Sequence, residues 1–379
     1  MQPTVRCPRC LIHVAALIVA MTIAILHDWL NQLGGAEDVL TALHDLFPAA
    51  PVYTSIYDRQ RMPVAWRMWD IRSSWMDRLP AIHRRHQPYM PVFALTWAAT
   101  QIPAEYDLVL SNKSAFCIGA RTAGRHICYC LTPTRFTFDF DSYATRESIP
   151  GAAAALLRVM NVVLRRWEIA ASRRVTRFIA ISSEVQQRIR NVYGRESDII
   201  YPPVQVEKFD VSRRSDDFYL IVSRLLPYKR IDLAVEVFNQ LNLPLVIAGE
   251  GRDRARLEKS AGSNVKLMGR VDDAALRDLL ARCRAFIFPG LEDFGIAPLN
   301  AMACGKPVIA FDGGGAVDTV IDGITGVLFN RQTAPALMQA VRRFEACTFA
   351  PDQIRAHAER FSVGRFNKEI LKALEDRAG

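Results

Sequence analysis

The sequence lacks the patterns that identify several large classes of protein. No Gly-x-Gly-x-x-Gly fingerprint follows its first predicted strand, and its glycine-rich turns do not have the spacing of a P-loop. A dehydrogenase with a dinucleotide fingerprint is therefore disfavoured. The chain has no zinc-finger spacing, no heptad pattern and no RNA motif with interleaved aromatic residues, so nucleic acid is the least supported partner. No repeat with the period of a solenoid protein, about 20–50 residues, is present either.

The eight cysteines do not form a metal-binding pattern. Cys7 and Cys10 have the spacing of a metal-binding pair, but no second pair of cysteines or histidines completes a set of four ligands. Cys128 and Cys130 alternate along a predicted buried strand, which is typical of reduced cysteines that behave as small hydrophobic residues. We therefore expect no metal site.

The amino-terminal apolar stretch has two interpretations. Residues 11–26 span sixteen positions, fewer than the ~18–20 that a helix needs to cross a bilayer. Basic residues precede the stretch, as in a signal peptide, yet no obvious cleavage site comes before Met21. Residues 21–28 have the character of the first buried strand of an α/β domain. We predict that Met21 is the true start and that residues 1–20 are an N-terminal extension.

Basic residues are unevenly distributed along the chain. The sequence has 48 Lys and Arg against 39 Asp and Glu, a formal charge of +9. Residues 151–200 hold nine of the arginines against four acidic side chains. This segment is either a solvated helix face or a surface for an anionic membrane leaflet or a phosphorylated substrate. Residues 83–97 mix basic and bulky apolar side chains, which favours either a membrane-surface helix or a core helix after a polar loop.

The order of apolar runs predicts two α/β domains. A chain of 379 residues, half of them hydrophobic, is long enough for two packed cores. From Met21 onward, short apolar runs alternate with helical patterns, which is typical of parallel sheets with crossover helices. The runs do not alternate strictly with polar residues, so the strands are covered on both faces. The predicted strands are residues 22–27, 52–55, 106–111, 126–130 and 177–181, followed by 218–223, 244–248, 265–268, 285–288, 307–310 and 327–329.

Two prolines within residues 201–209 interrupt this pattern and mark the boundary between the domains. We predict an N-terminal α/β domain over residues 21–200 and a C-terminal one over residues 201–362. A last helix follows over residues 363–379, and its return to the first domain is a hypothesis that the sequence leaves open.

A basic loop follows the first strand of the second half. Arg224 leaves the carboxyl end of this strand, and Lys229 lies just before the next helix. Ligands of open α/β sheets bind at this edge, where two cations beside a helix amino terminus can neutralise a diphosphate. A solvated basic turn has the same pattern.

A second loop follows the strand at residues 285–288. Gly295 lets the backbone approach a ligand closely, and free amides at the start of the next helix can donate to sugar hydroxyls or phosphate oxygens. Glu292 can accept two hydroxyl hydrogen bonds, as expected at a hexose site, or it caps the helix.

Two glycine clusters also follow predicted strands. Residues 313–315 are three consecutive glycines, while Gly34 and Gly35 open a helix after the first strand of the chain. Each predicts a tight turn, and the turn at Gly34 would face the crevice from the first domain. Such turns are common, so neither identifies a function alone.

Taken in order, these motifs resemble those of retaining glycosyltransferases of family 4. The resemblance covers nearly all of residues 21–370 and is sharpest over residues 223–230, 246–251, 289–310 and 313–329. Four segments, at residues 27–30, 34–37, 106–111 and 129–136, are most similar to bacterial mannosyltransferase-like enzymes of surface polysaccharide and O-antigen assembly. The implied fold is GT-B, an α/β architecture with two Rossmann-like domains whose parallel sheets face an interdomain cleft. The first would be the acceptor domain and the second the nucleotide-sugar donor domain.

The resemblance implies roles for particular residues. Arg224 and Lys229 would hold the donor diphosphate and Glu292 would bind the transferred hexose, so these three are the predicted catalytic residues. Gly34 and Gly35 would let the first domain close over the phosphates. The other predicted donor-binding residues are Gly249, Phe294, Gly295, Ile296 and Asn300. The resemblance implies neither a metal nor a cofactor besides the nucleotide-sugar substrate.

Three positions depart from the family pattern. Asn300 stands where the family has a second acidic residue, eight positions after the first, so we expect a weaker contact with the ribose. Leu131 replaces a histidine that the subgroup places near the reacting sugar, and leucine forms no hydrogen bond through its side chain. Asp318 replaces a common glutamate, which is a milder change. These departures bear on turnover more than on fold.

The implied activity is transfer of a hexose from a nucleotide-diphosphate sugar to a lipid-linked or polysaccharide acceptor, with retention at the anomeric carbon. Mannose from GDP-mannose is the first candidate. We expect a cytoplasmic protein in peripheral contact with the anionic inner face of the plasma membrane. Two alternatives stay open: a catalytically impaired relative that binds a nucleotide sugar and acts as a scaffold, and a sugar-nucleotide epimerase of the same fold.

Overall fold

The structure is a computed structural model that describes residues 21–146, 149 and 151–375. The predicted extension over residues 1–20, with Cys7 and Cys10, lies outside the described residues, as do residues 376–379 of the predicted last helix. None of the helices in the described part is long and apolar enough to cross a membrane.

The described residues divide into two compact units. Unit 1 takes its residues from 1–181, 185–201 and 364–379, and unit 2 takes its residues from 182–184 and 202–363. The strands in chain order are β1 Ile23–His27, β2 Val52–Thr54, β3 Ile71–Ser73, β4 Leu108–Lys113, β5 Arg125–Cys130, β6 Arg177–Ala180, β7 Ser197–Ile199, β8 Tyr219–Val222, β9 Leu245–Ala248, β10 Val265–Gly269, β11 Ala285–Phe288, β12 Val308–Phe311 and β13 Gly326–Phe329.

The α-helices are numbered in chain order through both units. They are α1 Gly35–Leu46, α2 Met90–Ala99, α3 Arg135–Phe138, α4 Phe140–Arg146, α5 Gly151–Ser172, α6 Ser183–Tyr193, α7 Ile231–Leu241, α8 Arg254–Ser260, α9 Asp273–Arg282, α10 Ile296–Ala303, α11 Ala316–Thr319, α12 Ala334–Glu345, α13 Pro351–Glu359 and α14 Val363–Glu375. Short 3-10 helices lie at Val64–Met68, Trp75–Arg78, Gln87–Tyr89, Cys117–Gly119, Val206–Lys208 and Pro227–Lys229.

Unit 1 is built on a parallel sheet of seven strands in the order β3-β2-β1-β4-β5-β6-β7. Every residue of β1 and β4 is buried, because helices cover both faces of a parallel sheet and leave no face for polar side chains. Large aromatic side chains, among them Phe93, Trp97 and Phe116, fill the core on one side of the sheet.

The turn after β1 is organised by the carboxylate of Asp28. This buried side chain accepts hydrogen bonds from four consecutive backbone amides, those of residues 114–117, at 2.6–2.8 Å. Charge-assisted bonds of this kind are about twice as strong as neutral ones. The carboxyl ends of β1 and β4 are thereby held together.

A fully buried ion pair lies at the end of β4. Lys113 Nζ is 3.2 Å from Glu168 Oε1, and neither side chain is exposed. Lys113 also donates to the Thr132 carbonyl and the Thr134 hydroxyl, while Thr134 and Tyr193 donate their hydroxyl protons to Glu168. Burial opposes the charge on Lys113, but the Glu168 carboxylate and other nearby acidic groups outweigh it and raise the pKa of Lys113.

The last helix, α14, packs within unit 1. The ring of Phe366 meets that of Tyr129 edge to face at 5.6 Å. Arg125 and Arg177, at the starts of β5 and β6, donate to carbonyls near the end of α14. Unit 1 is therefore formed from stretches that are far apart in the sequence.

Unit 2 is built on a parallel sheet of six strands in the order β10-β9-β8-β11-β12-β13. β8 and β11 lie at its centre and are almost fully buried. A core that includes Phe238, Ile287 and Leu337 joins the sheet to α7 and α12. The thiols of Cys283 and Cys304 are buried here, and burial raises their pKa to about 12 and about 11.

The prediction of two Rossmann-like parallel-sheet α/β units is confirmed. Each of the eleven predicted strands matches an observed strand to within two residues at either end. The prediction missed β3 and β7, since both are three residues long, partly exposed and polar at two positions or more.

The Lys113–Glu168 pair generates a test of unit 1. Lys113→Met leaves a buried carboxylate without its cation, so we expect the free energy of unfolding to fall by about 3–5 kcal/mol. In the double variant Lys113→Met/Glu168→Gln neither charge of the pair remains, and most of this loss should be recovered. Urea unfolding of the three proteins measures both steps. Equal instability of the single and double variants would show that Lys113 acts through packing and not through charge.

Candidate functional site

The second sheet changes direction beside its first strand. β8 lies between β9 and β11, so the chain proceeds outward on one side through β9 and β10 and on the other through β11, β12 and β13. The loops that leave β8 and β11 separate at this point, where open α/β sheets bind their ligands. One of these loops carries Arg224 and Lys229, and the other carries Glu292.

The side chains of Lys229 and Glu292 meet in an ion pair. They are 12% and 19% exposed, so water screens their attraction less than at an open surface. The ammonium group of Lys229 also lies 5.3 Å from the centroid of the Tyr228 ring. Glu292 does not cap α10, because Gly295 occupies the N-cap position. Two of the three predicted catalytic residues are thus in direct contact.

Arg224 differs from Lys229 in its surroundings. Its side chain is exposed, and its guanidinium forms no hydrogen bond or ion pair with any residue that the structure describes. The two predicted diphosphate-binding cations are therefore unequal: Arg224 has no counter-charge among the described residues, while Lys229 is paired with Glu292.

Glycines let the backbones of the site loops touch. A Cβ on Gly290 would lie 2.9 Å from the carbonyl oxygen of Lys229. A Cβ on Gly315 would lie 2.2 Å from the Cα of Phe294, and the amide of Gly315 donates to the Glu292 carbonyl at 2.8 Å. The triple glycine after β12 therefore supports the loop that carries Glu292, which explains its place in the sequence.

Gly249 has the same function on the other side of β8. It has a φ of +140°, and a Cβ would lie 1.9 Å from the carbonyl oxygen of Ser223, directly before Arg224. The chain after β9 then bonds to the Arg224 loop through the amide of Leu225, which donates to the Glu250 carbonyl at 2.9 Å. No other residue fits at position 249 without moving the loop.

The remaining predicted donor-binding residues lie at the start of α10. Gly295 has a φ of +95°, and its side-chain position is occupied by the ring of Phe288. Phe294 is buried, and its ring centroid lies 5.9 Å from that of Phe361, so this contact holds the loop in place. Ile296 and Asn300 are half-buried on α10, one turn apart.

In unit 1, Gly34 and Gly35 begin α1. Gly34 is the N-cap with an extended backbone, φ −178°, and a Cβ there would meet nothing closer than 3.5 Å. Neither the conformation nor the packing of unit 1 requires glycine at position 34.

Unit 1 also contains a buried polar cluster that was not predicted from the sequence. His27 Nε2 lies 3.5 Å from Glu37 Oε1, and His27 Nδ1 lies 3.2 Å from Asn112 Nδ2. Asn112 also donates to the Ala36 carbonyl at 2.7 Å, at the start of α1. The available signal was the polar residues that end the apolar strands β1 and β4. Leu131 follows β5 and is 9% exposed, next to the loop that Lys113 contacts.

The comparisons with known proteins bear first on unit 2. Residues 205–361 match the family described as "Glycosyl transferases group 1". This segment of unit 2 is a group 1 glycosyltransferase domain. It contains Arg224, Lys229, Gly249, Glu292, Phe294, Gly295, Ile296 and Asn300, whereas Gly34 and Gly35 lie outside it.

Curated proteins that the chain is similar to include a mannosyltransferase and an uncharacterized glycosyltransferase. The chain is 24% identical to the alpha-1,3/1,6-mannosyltransferase ALG2 of Homo sapiens over 348 residues, covering 78% of this chain and 81% of ALG2. It is 25% identical to the uncharacterized glycosyltransferase MJ1178 of Methanocaldococcus jannaschii over 170 residues, 44% of this chain and 48% of that protein. The chain spans about half the length of several curated relatives that it matches.

A solved structure shows the same fold over nearly the whole chain. The Anabaena protein HepE, crystallised with UDP and glucose, superposes with a TM-score of 0.68 at 18% identity, covering 94% of this chain and all of HepE. Such neighbours identify the fold of the chain as GT-B.

The contact beneath the Glu292 loop of the glycosyltransferase domain can be tested by substitution. Gly315→Ala places a methyl group inside the backbone of Phe294, so we expect the free energy of unfolding to fall by about 1–3 kcal/mol. Gly364→Ala is the matched control, since nothing lies within 4 Å of the added carbon. Denaturant unfolding of both variants gives the comparison. A Gly315 variant as stable as the control would contradict the close approach of the two loops.

Proposed function

We propose that this chain is a retaining glycosyltransferase that moves a hexose from a nucleoside-diphosphate sugar to an acceptor hydroxyl. The observation that carries the proposal is the Lys229–Glu292 pair with Arg224 nearby in sequence, on the two loops that flank the switch in the strand order of unit 2. The cation-rich loop suits the diphosphate of such a donor, and the carboxylate suits its hexose. The position within a group 1 glycosyltransferase domain supports the same assignment.

In this proposal the diphosphate binds to Arg224, Lys229 and the first amides of α10. A diphosphate carries about two negative charges, and a helix amino terminus together with two cations neutralises them. Lys229 then turns from Glu292 toward the phosphate, which releases the carboxylate to accept two hydroxyls of the hexose. Gly249 and Gly295 let the backbone come close to the ligand, while Phe294 and Ile296 shape the loop and Asn300 accepts one ribose hydroxyl.

Catalysis in this scheme stabilises the departing nucleoside diphosphate. Negative charge develops on the phosphate as the anomeric carbon becomes oxocarbenium-like, and the cations and amides are already in place to meet it. The acceptor oxygen bonds to the anomeric carbon from the face that the leaving group vacates, which retains the configuration, and the hydroxyl proton passes to the departing phosphate. The positive charge comes from the protein itself, and the proposal includes neither a metal nor an organic cofactor.

The proposed donor is GDP-mannose. The ALG2 relatives are mannosyltransferases by name, and the sequence motifs resemble the mannosyltransferase-like subgroup. UDP-glucose is the competing donor, since HepE was crystallised with UDP and glucose.

The proposed acceptor is a polyprenyl-diphosphate-linked glycan of surface polysaccharide or O-antigen assembly. The basic residues of unit 1 favour an anionic acceptor and peripheral contact with the inner face of the plasma membrane.

A catalytically impaired nucleotide-sugar-binding scaffold is the second candidate. Two observations favour it: the apolar Leu131 where the subgroup has histidine, and the uncharged Asn300 on α10. The two candidates share donor binding and differ in turnover.

A thermal-shift panel of GDP-mannose, UDP-glucose and other nucleotide sugars tests donor binding. A donor at about 100 times its Kd should add roughly 2.7 kcal/mol of stability. Arg224→Gln and Lys229→Met should each weaken its binding by about 10–100-fold, because each removes a charge-assisted contact worth ~1.5–3 kcal/mol. The matched controls Arg342→Gln and Lys266→Met remove exposed cations elsewhere in unit 2 and should leave the shift unchanged.

Transfer assays on the same proteins separate the two candidates. With labelled donor and lipid-extracted acceptors, the parent protein should turn over, and loss of one phosphate-binding group should lower kcat by about 10²–10³-fold. Donor binding without turnover on any acceptor supports the scaffold instead. If no nucleotide sugar shifts the unfolding temperature, both candidates fail.

A substitution at Asn300 tests for a gain in affinity for the nucleoside diphosphate rather than a loss. Asn300→Glu restores a carboxylate that accepts ribose hydroxyls more strongly, so we expect the Kd for the matching nucleoside diphosphate to fall by about tenfold. Asn300→Gln, which adds length without charge, is the control. Isothermal titration with GDP and UDP measures both. Unchanged affinity in the glutamate variant would place position 300 away from the ribose.

A further inference from the structure

Helix α5 has an apolar face that no described element covers. Leu156, Val159, Val162 and Val163 are 65%, 70%, 53% and 68% exposed. Their spacing of three, four and seven residues puts them on one side of the helix. Isolated exposed aliphatic side chains are common, but four on a single helix face form a surface, called here the α5 stripe.

The opposite side of α5 is fixed in unit 1. Glu168 on this side is fully buried against Lys113, and Asn161 donates to the Phe136 carbonyl at 2.8 Å. The Trp167 ring fills the space above Gly119, where a Cβ would lie 2.4 Å from it. The helix therefore cannot roll to bury the stripe without breaking a buried ion pair.

The charges on α5 are of one sign wherever they are accessible. Its acidic residue, Glu168, is buried, so the exposed charges on this helix are those of its arginines. Arg158 pairs at 2.7 Å with Asp141 of the adjoining helix α4, and Arg165 donates to the Thr137 carbonyl. Arg166 is exposed and forms no hydrogen bond or ion pair with a described residue. An apolar stripe together with exposed cations is typical of a helix that lies at a membrane surface.

We propose that α5 binds in the plane of an anionic lipid bilayer, with the α5 stripe among the upper acyl chains and its arginines at the head groups. The inference deepens the proposed function, on which it rests, by naming the surface that brings the enzyme to a lipid-linked acceptor. A bilayer fits better than a second protein. The stripe has four side chains along about 10 Å of helix, far fewer than the roughly 20–30 residues that each partner contributes to a stable protein interface.

Flotation of the full chain with lipid vesicles tests the proposal without any donor or acceptor. The protein should float with vesicles of phosphatidylcholine that contain phosphatidylglycerol and much less with phosphatidylcholine alone. High salt should release it in part, because screening weakens the contribution of the arginines and leaves that of the aliphatic side chains.

Variants separate the two contributions. Val159→Glu and Val163→Glu should each lower the partition coefficient by about tenfold or more. Arg166→Gln should lower it by about fivefold on anionic vesicles only. Ile324→Glu, which changes an exposed aliphatic residue of unit 2, is the matched control and should float like the parent. Donor-induced thermal shifts of the same proteins show whether the folded donor site is intact, so a failure of membrane binding is distinguishable from a failure of the proposed function.

Three results would overturn the proposal. The first is equal flotation of the parent and the stripe variants. The second is loss of flotation in a chain that starts at Met21 with no effect of the stripe variants, which would assign binding to residues 1–20. The third is a dimer in solution that the stripe variants dissociate, which would make a second copy the occupant of the face.

Discussion

The candidate donor site depends on backbone contact between loops. The chains after β8, β9, β11 and β12 approach so closely that glycine is the only residue that fits at the crossings, as at Gly249 and Gly315. Hydrogen bonds at the same crossings, such as that from Gly315 to the Glu292 carbonyl, hold the loops in place. Lys229 and Glu292 can therefore meet although they belong to different loops.

In the proposed function, Lys229 pairs either with Glu292 or with the donor phosphate. In the structure the lysine charge is matched by Glu292, and in the proposed function an incoming phosphate replaces that carboxylate. The free-energy cost of this exchange is small when sugar hydroxyls donate hydrogen bonds to the displaced carboxylate. It is larger when the ligand has a phosphate but no hexose. A site of this type favours the intact donor over the free nucleotide by coupling recognition of the two halves.

The sequence was sufficient to predict the fold. It also predicted a set of candidate residues in unit 2, but not which of them form pairs. Buried strands such as β8 and β11 are apolar runs, which the hydrophobic pattern of the sequence predicts as strands. Ile71–Ser73 is short, and its polar residues give it the pattern of a loop. Arg224 and Lys229 are equivalent in the sequence, since both are cations beside a strand end. Only packing distinguishes them, because partners far along the chain decide which charge is matched. The same holds for Lys113, whose partner Glu168 lies on a helix that sequence alone does not orient.

The return of α14 to unit 1 has a consequence for synthesis. Unit 2 is nearly continuous, over residues 202–363, while unit 1 also needs residues 364–375, which are synthesised after all of unit 2. Phe366 and the end of α14 cover Tyr129 and the starts of β5 and β6, so this side of the first sheet stays uncovered until unit 2 has been synthesised. Domains generally fold in the order in which they are made. Here the two units are interleaved, because the chain begins unit 1 before unit 2 and completes it after unit 2.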